Sequence, residues 1–93
     1  MPGVDYITIC GRKFRFERSL SEWEIRYKCG RFTLDVRDES TDDDIYITCE
    51  LNGPRRKGCA LSDITVFGDG KTVKKAAAAV EKRLQQLARL ARP

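Results

Sequence analysis

The sequence predicts an α+β domain: an antiparallel five- to six-stranded meander sheet with one C-terminal helix packed on one face. Three observations predict it. Apolar and polar residues alternate with period 2 through the first two-thirds of the chain. Glycines punctuate successive alternating runs. The last part of the chain switches to a helical apolar stripe that opens on a capping residue. The expected order is β-β-β-β-β-(β)-α, with the sheet over residues 4–67 and the helix over residues 72–91.

The first run, Val4 to Ile9, ends at Cys10-Gly11. Lys13 to Arg18 follows, with Phe14 and Phe16 on one face and Lys13, Arg15 and Glu17 on the other. Trp23, Ile25 and Tyr27 then share a face opposite Glu24, Arg26 and Lys28. Phe32, Leu34 and Val36 alternate with Thr33, Asp35 and Arg37. Ile45, Ile47, Cys49 and Leu51 alternate with Tyr46, Thr48 and Glu50. Such alternation marks strands with one buried and one wet face. A weaker sixth strand is expected from about Cys59 to Phe67. Gly11 and Gly30 stand where tight hairpins need positive φ. Ser19 to Ser21, Asp38 to Asp44 and Asn52 to Gly58 supply the longer turns.

Gly68-Asp69-Gly70 is expected to break the last strand, and Thr72 to cap the helix. Val73, Ala77, Val80, Leu84, Leu87 and Ala91 recur at helical spacing and form one apolar stripe. Ala76 to Ala79 let the helix lie close to the sheet. The stripe reads first as core packing. Its later half, Leu84, Leu87 and Ala91, is the candidate seam of a homodimer, the alternative to a monomer. A helix of this length spans roughly 30 Å and outruns a short sheet.

The 93 residues suit one domain with a modest core. No apolar run approaches the roughly 18 residues of a membrane span, so no membrane association is expected. Residues 1–5 show no basic region leading into an apolar stretch, so no signal peptide is expected and the cytoplasm is the default compartment. Histidine is absent, which removes the commonest general base and the commonest metal ligand. Asp38 to Asp44 lacks the ordered spacing and glycine of a calcium loop. Gly68-Asp69-Gly70-Lys71-Thr72 lacks the earlier glycine of a phosphate-binding loop, because position 65 is Thr65. The expectation is a protein without catalysis and without a cofactor.

The net charge of +4 conceals a sorting of charges. In a meander, the turns at Gly11, Gly30 and residues 52–58 lie at one end, here called the top. That end receives Arg12, Lys13, Lys28, Arg31, Arg55, Arg56 and Lys57, with Arg89 and Arg92 from the helix. The bottom receives Glu22, Asp38, Glu39, Asp42, Asp43, Asp44 and Asp69. The cationic end suits phosphates or an acidic protein surface; the bland reading is loop charge for solubility. Lys75, Lys82 and Arg89 form a second row on the helix face opposite the stripe. Cys10, Cys29, Cys49 and Cys59 are also expected at the top. Their spacings of 19, 20 and 10 fit no zinc ribbon or finger, so reduced thiols are favoured over zinc or a disulfide.

Residues 68–78, with Lys74-Lys75 opening an alanine-rich helix, resemble the end of a double-stranded-RNA-binding domain. The resemblance implies phosphate contacts at Lys74 and Lys75. It covers that segment alone: the family's first helix is missing, the lysines are shifted by two positions, and the strands are too many. The same strand–turn–helix also resembles part of certain small antitoxins. Both read as convergence on a well-capped helix, and neither assigns a family.

The expected function is a non-catalytic binding module that contacts nucleic acid, or a protein of a nucleic-acid-handling complex, through the basic end. Arg55, Arg56 and Lys57 are the expected mobile contacts, with Arg12, Lys13 and Arg31 beside them. The alternative is a small protein-binding inhibitor or adaptor of the phage or mobile-element type, for example anti-defence, with no direct nucleic-acid contact. Tyr46 and Tyr6 are too few on the wet face for base stacking, so charge and shape would carry any nucleic-acid contact.

Overall fold

A computed structural model describes residues 4–53 and 64–90. Six antiparallel strands follow one another in a meander: β1 Tyr6–Ile9, β2 Arg12–Ser21, β3 Glu24–Cys29, β4 Phe32–Asp38, β5 Ile47–Gly53 and β6 Ile64–Gly70. One helix, α1 Val73–Leu90, closes the order. The sheet curls into a half-barrel. The helix packs on β6 and β5 and also touches β1, so it bridges the two edges of the curl.

Both glycine hairpins form as expected. Ile9 pairs with Arg12 across Cys10 and Gly11, whose φ values of 50° and 75° match a type I′ turn. Cys29 pairs with Phe32 across Gly30, at φ 60°, and Arg31. At the helix start, Thr72 Oγ1 accepts from the Lys75 amide at 3.1 Å, and the Thr72 carbonyl accepts the first helical bond from the Ala76 amide at 3.0 Å. That is the capping geometry the sequence implies.

Three expectations need correction. β2 continues through Ser21, because register shifts between Phe16 and Arg18 and between Ser19 and Ser21 absorb extra residues. Such bulges keep a strand paired while changing which face each residue takes. The turn is therefore Glu22-Trp23, and Trp23 is 55% exposed rather than in the core. Phe16 shares the concave face with its partner Tyr27 and meets it edge-on, yet stays half exposed. Finally, Gly68-Asp69-Gly70 does not break β6 but forms its end, paired with Cys49, Thr48 and Ile47. The bare backbone of Gly68 lies directly beneath Ala76 and Val80, where a Cβ would meet helix backbone at 2.6 Å. These glycines seat the helix.

The core lies on the concave face. Ile7, Ile9, Phe14, Tyr27, Leu34, Val36, Leu51 and Val66 are buried against Ala76, Ala77 and Val80. The helix overshoots this core: Leu84 is half-buried and Leu87 is 44% exposed. Ala91 lies outside the described residues. Among the described residues, no helix is long and apolar enough to cross a membrane.

Candidate nucleic-acid interface

The convex face of the β2–β3 hairpin is where the basic residues converge. Antiparallel register places Arg15 directly opposite Lys28, and the bulge at Glu17 places Arg18 directly opposite Arg26. Like charges directly opposite each other destabilise a sheet, so this hairpin carries an electrostatic cost along its length.

The compensation is partial. Arg26 is neutralised by a two-pronged contact with Asp35 on β4, at 2.8 and 3.0 Å, and this hydrogen bond holds its guanidinium further above its ordinary pKa. Asp35 is buried, with both oxygens engaged. Lys28 stands 3.9 Å from Glu17. Arg12, Arg15, Arg18 and Arg31 have no carboxylate within 4.0 Å among the described residues. Lys13 lies over the Tyr6 ring at 4.4 Å, a cation–π contact that leaves its charge uncompensated.

At the bottom the pattern reverses. Arg37 pairs with Glu24 at 3.0 Å and Glu39 at 3.6 Å, and Lys71 approaches Asp44 at 3.7 Å. The β4–β5 connection is ordered by its own hydrogen bonds. The Glu39 amide donates to the Tyr46 carbonyl, and Thr41 and Asp44 pair across the tip. Asp38 accepts from the Ser40 amide, and its pKa is lowered through its hydrogen bonds with Ser40. Tyr46 donates to Asp69 at 2.8 Å, which raises the phenol pKa. Acids thus gather at the bottom with local cations among them, while the cations of β2 have open neighbours.

The structure brings Arg12, Lys13 and Arg31 of the expected site to the top end, all exposed. Arg55, Arg56 and Lys57 lie outside the described residues. Lys75 and Lys82 are exposed on α1, but the Lys75 Cβ lies close against Gly70, so that residue flanks β6. The Arg89 side chain lies outside the described residues. Sequence reading missed Arg15 and Arg18 as site residues. Strict alternation puts Arg18 on the buried face with Phe14 and Phe16, and a charge at such a position is itself the signal of a bulge.

The cysteines do not gather as expected. Cys10 is exposed in the first turn and Cys29 half-buried at the end of β3, but Cys49 lies mid-sheet, between Val36 and Gly68. Its burial pushes the thiol up to about 12. Cys10 is also raised, first by desolvation and then by Glu81, whose carboxylate accepts from the Cys10 amide at 2.7 Å. Cys59 lies outside the described residues. Among the described residues, no three His, Cys, Asp or Glu side chains group around a possible metal position.

The convex face adds Phe67, half exposed on β6, to the expected Tyr6 and Tyr46. Tyr6 and Phe67 belong to opposite ends of the strand order, so they form no shared stacking platform. Comparison with protein families, with curated proteins and with solved structures found no match.

Proposed function

We propose that this chain is a non-catalytic binding module that holds nucleic acid by its phosphates on the convex face of the β2–β3 hairpin. The observation that carries the reading is the ladder of cations facing one another: Arg15 opposite Lys28 and Arg18 opposite Arg26. An anion laid along that ladder relieves the repulsion that the folded hairpin otherwise retains. Phosphate contacts of this kind fix position and carry no sequence information. Lys13 continues the same face toward the top end, Arg12 and Arg31 flank it beside the two turns, and Arg55, Arg56 and Lys57 are further candidate contacts. The protein-binding alternative is favoured by a different surface, the free edge of β1 beside the helix.

The test is fluorescence anisotropy with single-stranded DNA, duplex DNA and duplex RNA, each over a salt series. Affinity should fall linearly on a log–log plot. Replacing Arg15, Arg18 and Lys28 with Gln should reduce the slope by about 0.7–0.9 for each phosphate that is no longer neutralised. Absence of binding at low salt, or an unchanged slope in the triple variant, would sink the reading.

A further inference from the structure

β1 is an edge strand with an open side. The Phe16 amide donates to the Asp5 carbonyl at 3.2 Å, which sets the phase of the β1–β2 ladder. Antiparallel pairing then directs the backbone groups of Asp5, Ile7 and Ile9 toward β2, and those of the even-numbered residues away from it. The Cys10 amide fits this phase, since it donates to Glu81 on α1, while the Val4 amide, outside the strand, donates to the Tyr27 hydroxyl of β3 at 3.3 Å. Between them, Tyr6 and Thr8 present N–H and C=O groups with no partner among the described residues. β1 carries neither a proline nor a charge, the usual guards of an edge.

That edge faces a groove rather than open solvent. Val4, Tyr6 and Thr8 form one wall and Lys74, Ala77 and Ala78 of α1 the other, around a volume of about 350 Å³. The small alanines leave the space, and Glu81 closes the upper end by holding Cys10. Lys13 occupies the Tyr6 ring on the convex side. At the lower end Lys74 is exposed and has no carboxylate within 4.0 Å among the described residues.

We infer that this groove binds an extended segment of a partner polypeptide, which adds to the free edge of β1 as a seventh, antiparallel strand. Unmet donors and acceptors at strand spacing call for another backbone, and the helix wall supplies the side-chain contacts. Direction follows from charge. β1 runs from the Lys74 end toward the Glu81 end, so an antiparallel strand brings its C-terminal part to Lys74. The preferred segment carries an acidic residue or its own terminal carboxylate there, and an apolar side chain over Ala77 and Ala78. This surface is separate from the cationic ladder, so its success or failure does not decide the nucleic-acid reading.

The probe is a phage-displayed library of random linear octapeptides with free C-termini, selected on the full chain. Enriched peptides should share an acidic C-terminal part. Titrated into ¹⁵N-labelled protein, they should shift the amides of Tyr6, Thr8, Ala77 and Ala78 and slow hydrogen exchange at Tyr6 and Thr8. Thr8→Pro removes an edge donor that the β1–β2 ladder does not use, and should weaken binding about tenfold. Ala78→Trp fills the groove from an exposed helix position and should abolish binding. Lys74→Glu should reverse the preference for acidic peptides. The inference is overturned if no peptide is enriched, if shifts fall elsewhere, or if Thr8→Pro and Ala78→Trp both leave affinity unchanged. It is also overturned if light scattering shows a dimer that Thr8→Pro dissolves, since a second copy would then occupy the edge.

Discussion

Replacing Gly68 with Ala adds one methyl group at the point where the helix rests on the sheet. A Cβ there stands 2.6 Å from the Ala76 carbonyl oxygen and from the Val80 amide nitrogen, and 2.7 Å from Val80 Cγ2. Ordinary contact begins about 0.8 Å further out. Two of the three atoms are helix backbone, so no rotamer change relieves the clash and the helix must lift. A gap of roughly that size forfeits a quarter to a half of the dispersion attraction between the groups it separates, here the fully buried Ala76 and Val80. Overpacking of this kind costs about 1–3 kcal/mol. Removing a glycine from a strand returns about 0.5–1 kcal/mol. The net expectation is a loss of about 1–2 kcal/mol, which lowers Tm by roughly 5–15 °C in a domain of this size. Gly11→Ala is the control, since it meets no atom within 4 Å and is penalised only by its φ of +75°. Thermal and urea unfolding by circular dichroism measure both. Hydrogen exchange at the Cys10 amide reports whether Glu81 has been carried away with the helix. Gly68→Ala as stable as the parent protein, with Gly11→Ala destabilised, would refute the seating of the helix on bare strand backbone.

Other outcomes follow from the same packing and charge pattern. Thr72→Ala removes the cap on the Lys75 amide and should cost about 1 kcal/mol, read as a lower urea midpoint at an unchanged m-value. Arg15→Glu places a carboxylate opposite Lys28 and should raise stability by about 0.2–1 kcal/mol, most at low salt, while weakening polyanion binding. A loss of stability in that variant would refute the account of the cation ladder. Cys49 should resist alkylation in the native protein at pH 8 and react on unfolding, as peptide mapping by mass spectrometry would show. Its thiol is held at about 12 when folded and returns to about 9 when unfolded. Between those values the unfolded state binds fewer protons, so this thiol's contribution is present below pH 9 and is lost as pH rises toward 12. An unfolding free energy whose pH dependence is identical in Cys49→Ala and the parent protein across that window would contradict it.

The meander and helix were legible because their signals are local. Alternation in Phe32 to Val36, the paired Cys-Gly-Arg turns, and Thr72 ahead of an apolar stripe each depend on neighbours in sequence. What escaped depended on partners far along the chain. The bulge at Glu17 is fixed by β3, and it alone moves Arg18 from the concave to the convex face. Gly68-Asp69-Gly70 has the composition of a breaker, yet β5 and the helix above hold it as strand. The sequence reading places Cys49 at the top end with the other cysteines. In the structure β5 begins at Ile47, so Cys49 is its third residue. The candidate site suffered most, since cross-strand charge pairs exist only once register is set.

The bridge from Glu81 to Cys10 spans 71 positions of sequence. During synthesis the β1–β2 and β3–β4 hairpins can pair as soon as each emerges, since their closing loops are short. The helix that spans the mouth of the curl is made after all six strands. Until it docks, β1 has only β2 beside it, and the sheet's concave apolar face stays open to water. Completion of the core is therefore a late, long-range event, of the kind that slows folding and lengthens exposure to aggregation. Helix docking also gives β1 its second wall, so a nascent chain lacking α1 carries an unguarded strand edge rather than a groove.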